Sequence, residues 1–182
     1  MKELSTIHYL IFLDVDGVLN SLSFYNTVKS ITENPLDPAA IKRLKTLIDR
    51  AEGGGAHSVR VILISSWRAG WNKDPKKQDA AGRILDNALA LRGIRIYDKT
   101  GRNDRYDRPS EVLDYLRKYP EKVSGFVILD DANFFWGKSH LQDWWLQTDS
   151  KEDGFKEEMI EPALERLQNP PWWLRMVNIG KK

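Results

Sequence analysis

Tyr9-Leu10-Ile11-Phe12-Leu13-Asp14-Val15-Asp16-Gly17-Val18-Leu19-Asn20 is the stretch whose reading decides the fold. Five apolar residues run without a break and stop at a carboxylate. An unbroken apolar run predicts a strand covered on both faces, which is the interior of a parallel sheet. Two further runs have the same form. Val59-Arg60-Val61-Ile62-Leu63-Ile64 ends at Ser65-Ser66, and Gly125-Phe126-Val127-Ile128-Leu129 ends at Asp130-Asp131. Gly93–Tyr97 and Trp144–Thr148 are shorter strand candidates.

Helical spacing fills the intervals. Pro38 to Ala51 sets Ile41, Leu44, Leu47 and Ile48 on one face behind Asp37, a candidate N-cap. Gln78 to Leu91, Ser110 to Tyr119 and Phe155 to Leu167 repeat the pattern, and Pro162 is expected to kink or split the last of these. Strands alternating with helices predict an α/β fold with a mostly parallel sheet and right-handed crossovers. In such sheets the site lies beyond the carboxyl ends of the strands. Here three strands end there in Asp14, Ser65 and Asp130.

Composition narrows the classes. The 182 residues contain no cysteine, which excludes disulfide scaffolds, zinc-thiolate sites and a cysteine nucleophile. Lys and Arg number 28 against 26 Asp and Glu, so a whole-surface polyanion binder is not expected. No apolar run approaches the ~20 residues of a membrane span. The N-terminus lacks the form of a signal peptide, so a cytoplasmic location and no membrane partner are expected.

The chemistry gathers at the first strand end. Asp14 and Asp16 stand two residues apart, and Gly17 allows the backbone to turn so that both reach one site. One carboxylate can attack phosphorus while the other handles the leaving-group proton, and an oxygen-bound hard cation would neutralise the phosphoryl charge. Calcium loops and ordinary turns also use Asp-x-Asp-Gly; the preceding apolar strand and the other strand ends favour chemistry.

These segments resemble the haloacid dehalogenase (HAD) superfamily of phosphohydrolases. Phe12–Asn20 looks like its first motif, Ile62–Arg68 like its second and Val127–Asp131 like its fourth. The third motif, a basic residue near a helix start, is best matched by Arg108-Pro109, with Lys99 and Arg105 as competitors. Asp-Val-Asp-Gly-Val-Leu-Asn, Ser-Ser-Trp-Arg, the Lys99-Thr100 turn and Leu146-Gln147-Thr148-Asp149 followed by Gly154-Phe155 look closest to one branch. These are the small HAD domains associated with Swiss-army-knife RNA-repair proteins. Ala132-Asn133 departs from the pattern, where a further acid is expected.

The resemblance implies a Rossmann-like fold with helices on both faces and a set of roles. Asp14 would be the nucleophile of an aspartyl-phosphate, and Asp16 the acid and base. Mg²⁺ would bind Asp14, the Asp16 backbone carbonyl and Asp130. Ser65, preferred to Ser66 as the residue at the strand end, would bind phosphoryl oxygens. Arg108 would offset the clustered negative charge. Asp131 reads either as a further metal ligand or as a supporting acid or cap.

Gly17, Asn20, Ser66, Arg68 and Lys99 are candidates for the substrate side. Trp67-Arg68 reads equally as a stack and phosphate clamp or as a core-edge Trp beside an Arg paired with a local acid. Lys99-Thr100-Gly101-Arg102 with Arg105 and Arg108 is a basic loop, solvated or facing a polyanion. The Ala69–Lys77 insert, with Trp71 among lysines, suits base stacking or is a loop anchored by one Trp. Trp144-Trp145 is expected to send its rings to opposite faces of a strand, and Trp172-Trp173 to dock the tail or to present a partner surface.

Spacing leaves little room for a lid. Between Asp16 and Ser65, only Ser21 to about Asn34 is unclaimed by helix and strand, enough for a flap over residues 20–34. An independent cap would need ~50 residues to bury a core. One catalytic domain over residues 1–168 with a tail over 169–182 packed on it is therefore expected. An uncapped site suits a large phosphorylated substrate, such as a nucleic-acid or nucleotide terminal phosphate. A phosphoprotein or small-metabolite phosphatase and a non-catalytic phosphate-binding scaffold are the alternatives, and the oligomeric state is left open.

Overall fold

The computed structural model describes residues 7–28, 30, 35–53, 57–102 and 107–181. Five strands, β1 (Ile7–Leu13), β2 (His57–Leu63), β3 (Ile96–Lys99), β4 (Val123–Asp130) and β5 (Trp145–Gln147), form one sheet in the order β3-β2-β1-β4-β5. Every pairing is parallel. The fold is α/β and Rossmann-like, as the alternation of strand and helix signals requires.

The unbroken apolar run earns its central place. β1 pairs with β2 on one side and β4 on the other, and Leu10, Ile11, Phe12 and Leu13 are all fully buried. Successive side chains point to opposite faces. Tyr9, Ile11 and Leu13 thus enter one core with α2 (Pro38–Glu52), α3 (Ala80–Ala90) and α5 (Ile160–Gln168), through Leu44, Leu47, Leu85, Leu89, Leu164 and Leu167. Leu10 and Phe12 enter the other with Val112 and Leu116 of α4 (Arg108–Lys118), Trp136 and Leu141. Helices therefore cover both faces. The chain winds one way from β1 through β2 to β3, then starts again beside β1 with β4. That reversal makes the β1/β4 boundary the topological switch point, where such sheets open a crevice.

Helix starts follow their caps. The Asp37 carboxylate accepts from Ala39 N and opens α2, and that of Asp79 accepts from Gly82 N and opens α3. α4 starts at Arg108, two residues before the expected Ser110, because Pro109 tolerates the first turn, where no backbone donor is needed. The same rule corrects the reading of Pro162. It lies in the first turn of α5, which begins at Ile160 after a 3₁₀ turn, Glu157–Met159, so it interrupts no helix interior.

β3 is displaced from the expected Gly93–Tyr97. Gly93 has a φ of 71° and closes the turn after α3, while Lys99 pairs with Leu63. Edge strands carry polar residues, so Asp98 and Lys99 hid this shift. Trp144 ends a 3₁₀ turn, Gln142–Trp144, before β5 begins. Its ring therefore packs on the same core as Trp145 and not on the opposite face.

The tail contains a short helix, α6 (Leu174–Val177), following Trp172 and Trp173. Leu174 is buried, Trp173 packs near Phe126 and Trp144, and Asn178 exchanges hydrogen bonds with both backbone groups of Val123. Trp172 is 80% exposed. Within the flap, α1 (Leu22–Tyr25) is capped by the Ser21 hydroxyl, and residue 29 and residues 31–34 lie outside the described residues. Among the described residues, no helix is long and apolar enough to cross a membrane.

α5 can sit close on β4 because Gly125 has no side chain. A Cβ there would come 1.8 Å from the Leu167 carbonyl oxygen. Gly125→Val is expected to lower unfolding stability by about 1–3 kcal/mol, the usual range for overpacking. A urea titration read by tryptophan fluorescence measures it, and an unchanged midpoint contradicts this account of the contact.

Candidate active site

Register brings the acids together. Leu13 pairs with Leu129, and Asp14 N donates to Leu129 O at 2.9 Å, so Asp14 and Asp130 leave adjacent strands side by side. Both are buried. Asp131 follows at once, and one carboxylate oxygen from each of Asp14, Asp130 and Asp131 lies within 4.8 Å of the others. Three oxygen donors in that space suit a hard divalent cation.

The loop after β1 is built around this cluster. Gly17 has a φ of 73°, and a Cβ on it would lie 2.4 Å from Asp131 Cγ. Glycine here supplies both the left-handed turn and the room for the third carboxylate. Asn20 is buried and serves the loop: its Oδ1 accepts from Gly17 N, and its Nδ2 donates to Asp16 Oδ1, both at 2.9 Å. Trp67 Nε1 donates to the other Asp16 oxygen at 3.1 Å. The exposed Asp16 carboxylate is thus held at the mouth by a hydrogen bond on each oxygen, apart from the buried Asp14 and Asp130 and the half-buried Asp131. Thr148 Oγ1 donates to Gly17 O at 2.7 Å, and Phe155 N to Val18 O at 2.9 Å, bracing the loop from the far side.

Arg108 is the base that reaches the acids. Its Nη1 donates to Asp14 Oδ2 at 2.8 Å and also to Asp130 Oδ2, and Phe134 lies against its guanidinium, 4.3 Å from ring centroid to Cζ. Asp14 and Asp130 hold its pKa above the ordinary value, against the opposing effect of burial. Lys99 is engaged elsewhere. Its ammonium donates to the carbonyls of Arg68 and Trp71 at 2.7 and 2.6 Å, closing the loop after β2. Arg105 lies outside the described residues.

Arg68 takes the local-acid reading. Its guanidinium meets the buried Glu111 carboxylate at 2.7 Å and the Thr100 hydroxyl at 2.6 Å. Glu111 stands on the first turn of α4, so this pair ties the loop after β2 to the helix that carries Arg108. Ser65 is fully buried and accepts from Trp67 N at 3.3 Å, and Ser66 is exposed. Trp71 is buried with Nε1 donating to Asp86, which makes it an anchor and removes it as a stacking surface. Phe134 and Glu111 drew no attention in the sequence, and Thr148 entered only as part of the Leu146–Asp149 likeness; the unusual Phe134-Phe135-Trp136 run is the one signal that marked Phe134.

A model of the HAD domain in Swiss Army Knife RNA repair proteins matches residues 10–160, which is most of the chain, with β2 to β5 whole and β1 from Leu10 on. The chain belongs to this family. No curated protein and no solved structure matches it. Membership suggests a phosphatase-type hydrolase acting on phosphorylated substrates, and the HAD domain here carries a carboxylate cluster able to bind a metal.

Burial, then the neighbouring Asp14 charge, push the Asp130 carboxyl up to about 7 despite Arg108. Between the unfolded value of 3.8 and that value, the folded state binds the extra proton. Its contribution to stability therefore falls as pH rises across that window. In metal-free buffer, Asp130→Asn should gain on the native sequence in melting temperature from pH 5 to pH 8. Thermal melts at several pH values decide this, and parallel curves would contradict it.

Proposed function

We propose that this HAD domain is a Mg²⁺-dependent phosphomonoester hydrolase that works through an aspartyl-phosphate on Asp14. The observation that carries the reading is the buried Asp14–Asp130 pair bridged by Arg108 at the switch point, with Asp131 beside it. Three crowded acids with one guanidinium leave net negative charge, and the raised pKa values of Asp130 and Asp131 reflect it, with burial the larger cause in each. Their donors are all oxygens, which fits Mg²⁺. Asp14, Asp130 and Asp131 would hold it, with the Asp16 backbone carbonyl as the further ligand that the family resemblance implies. When bound, it would neutralise phosphoryl charge.

An Asp14 oxygen attacks phosphorus as the bond from phosphorus to the ester oxygen breaks, and Asp16 in its acid form gives its proton to the departing oxygen. Water then attacks the phosphorus, returns its proton to Asp16 and releases phosphate with Asp14 restored. Trp67 and Asn20 orient Asp16 for both transfers, while Arg108 holds Asp14 in place. Ser65, at the end of β2, binds a phosphoryl oxygen, with Ser66 at the rim. Residues 1–168 form the catalytic unit, and 169–182 are an appended segment.

The substrate class we infer is a terminal phosphate of a nucleic acid. The exposed position of Asp16 and the RNA-repair character of the family support it. With Mg²⁺, the protein is expected to release phosphate from 3′- or 5′-phosphorylated oligonucleotides faster than from phosphosugars or phosphopeptides. Asp14→Asn should remove at least 99% of that turnover, given the ~10³-fold or larger losses typical when a nucleophile is lost. Turnover that survives Asp14→Asn rejects the mechanism, and faster release from the small substrates rejects the substrate class.

Trp67→Phe keeps the ring and removes the donor to Asp16. It should reduce kcat about 10- to 150-fold and leave KM nearly unchanged, since one hydrogen bond to a charged group contributes roughly 1.5–3 kcal/mol. Stopped-time phosphate release measures both constants. A change confined to KM would assign Trp67 to substrate binding instead.

A further inference from the structure

The loop after β4 has one residue that neither the core nor the acids account for. Phe134 lies against Arg108, and Trp136 is fully buried with Nε1 donating to Ala132 O at 3.2 Å. Phe135, between them, is 66% exposed and has a φ of 57°. A bulky residue in the left-handed region is strained, and glycine or asparagine would fit the same turn more easily. The backbone is nonetheless pinned there, with Phe135 N bonded to Asn133 Oδ1 and Phe135 O to Lys138 N, both at 2.9 Å. The Lys138 ammonium stands 4.7 Å from the Phe135 ring centroid.

Position gives these two side chains a use. The Phe135 Cα is about 3.8 Å from that of Phe134, whose ring touches the arginine bridging the acids. An exposed aromatic face and a cation therefore sit together on the loop after β4, next in the chain to the residue that touches Arg108. A nucleic-acid end needs both: a flat apolar surface for the base and positive charge for the next phosphate.

We propose that Phe135 and Lys138 form a subsite for the terminal nucleotide, with Phe135 stacking on its base and Lys138 facing the adjoining internal phosphate. This rests on the nucleic-acid reading above and adds the residues that read the end. Lys138 covers part of the ring, leaving the rest of its exposed surface for the base. The contact is indifferent to which base is present, because every base offers a π face.

The test is binding, measured in the Asp14→Asn background with Mg²⁺. The probes are single-stranded oligonucleotides bearing a terminal phosphate and a fluorophore at the far end, with a terminal nucleotide that either carries its base or is abasic. Anisotropy titrations should show Phe135→Ala weakening the base-bearing end roughly 5- to 100-fold, the range expected for one base on an aromatic ring, down to the level of the abasic end. Phe135→Tyr should restore the difference. Lys138→Gln should weaken both ends and reduce the slope of log affinity against log salt by about one. Equal weakening of the two ends by Phe135→Ala, or no discrimination between them with Phe135 present, overturns the proposal. If turnover proves absent while base-dependent binding persists, the hydrolase reading falls and the subsite stands. If turnover is present without base-dependent binding, the subsite falls alone.

Discussion

Two buried carboxylates, Asp14 and Asp130, lie side by side where the sheet changes winding direction, and the rest of the structure is arranged to tolerate them. Left unpaired, charges so placed would cost far more than a hydrogen bond returns. Arg108 supplies one positive group to both. It can do so only because α4 begins beside the strand ends and because Phe134 flanks it. Glu111, one turn along that helix, meets Arg68 from the loop after β2. The acids, the helix and the loop therefore form a single electrostatic unit. Burial, and after it the Asp14 charge, leave the Asp130 pKa raised even with Arg108 in contact.

The surroundings of Asp16 are the counterpart. It is exposed, held by Asn20 and Trp67, and stands only two positions after the buried Asp14. Neighbouring carboxylates in one short loop thus face different media, which suits them to different tasks. Glycine at 17 makes the separation possible, since the chain turns there and Asp131 occupies the space a side chain would take. Thr148 and Phe155, more than a hundred residues later, hold the loop in that form.

Basic residues illustrate how little their type alone reveals. Lys99, Arg68 and Arg108 all read as partners for an anion. Lys99 instead closes a loop through carbonyls, Arg68 pairs with a buried acid, and Arg108 alone reaches the carboxylate pair. Trp71 and Phe135 make the same point for aromatic residues. The tryptophan among lysines turns inward, and the phenylalanine within an apolar run turns outward. Side-chain direction in a loop is set by backbone dihedrals and nearby donors, neither of which a residue's identity specifies.

Local sequence determined the strands, their approximate ends, the α/β class and the acids at the switch point. Unbroken apolar runs predict doubly covered strands, and a carboxylate directly after such a run emerges at the carboxyl end of the sheet. The motif carboxylates Asp14, Asp16 and Asp130 were legible for that reason. Tertiary structure alone decided the partners: Arg108 over Lys99, Glu111 for Arg68, Trp67 and Asn20 for Asp16, Asp131 beside Gly17, and the exposure of Phe135. Each of these depends on register and on contacts between segments far apart in the chain. A pattern of period two or 3.6 states which face a residue takes, but not which distant residue will meet it there.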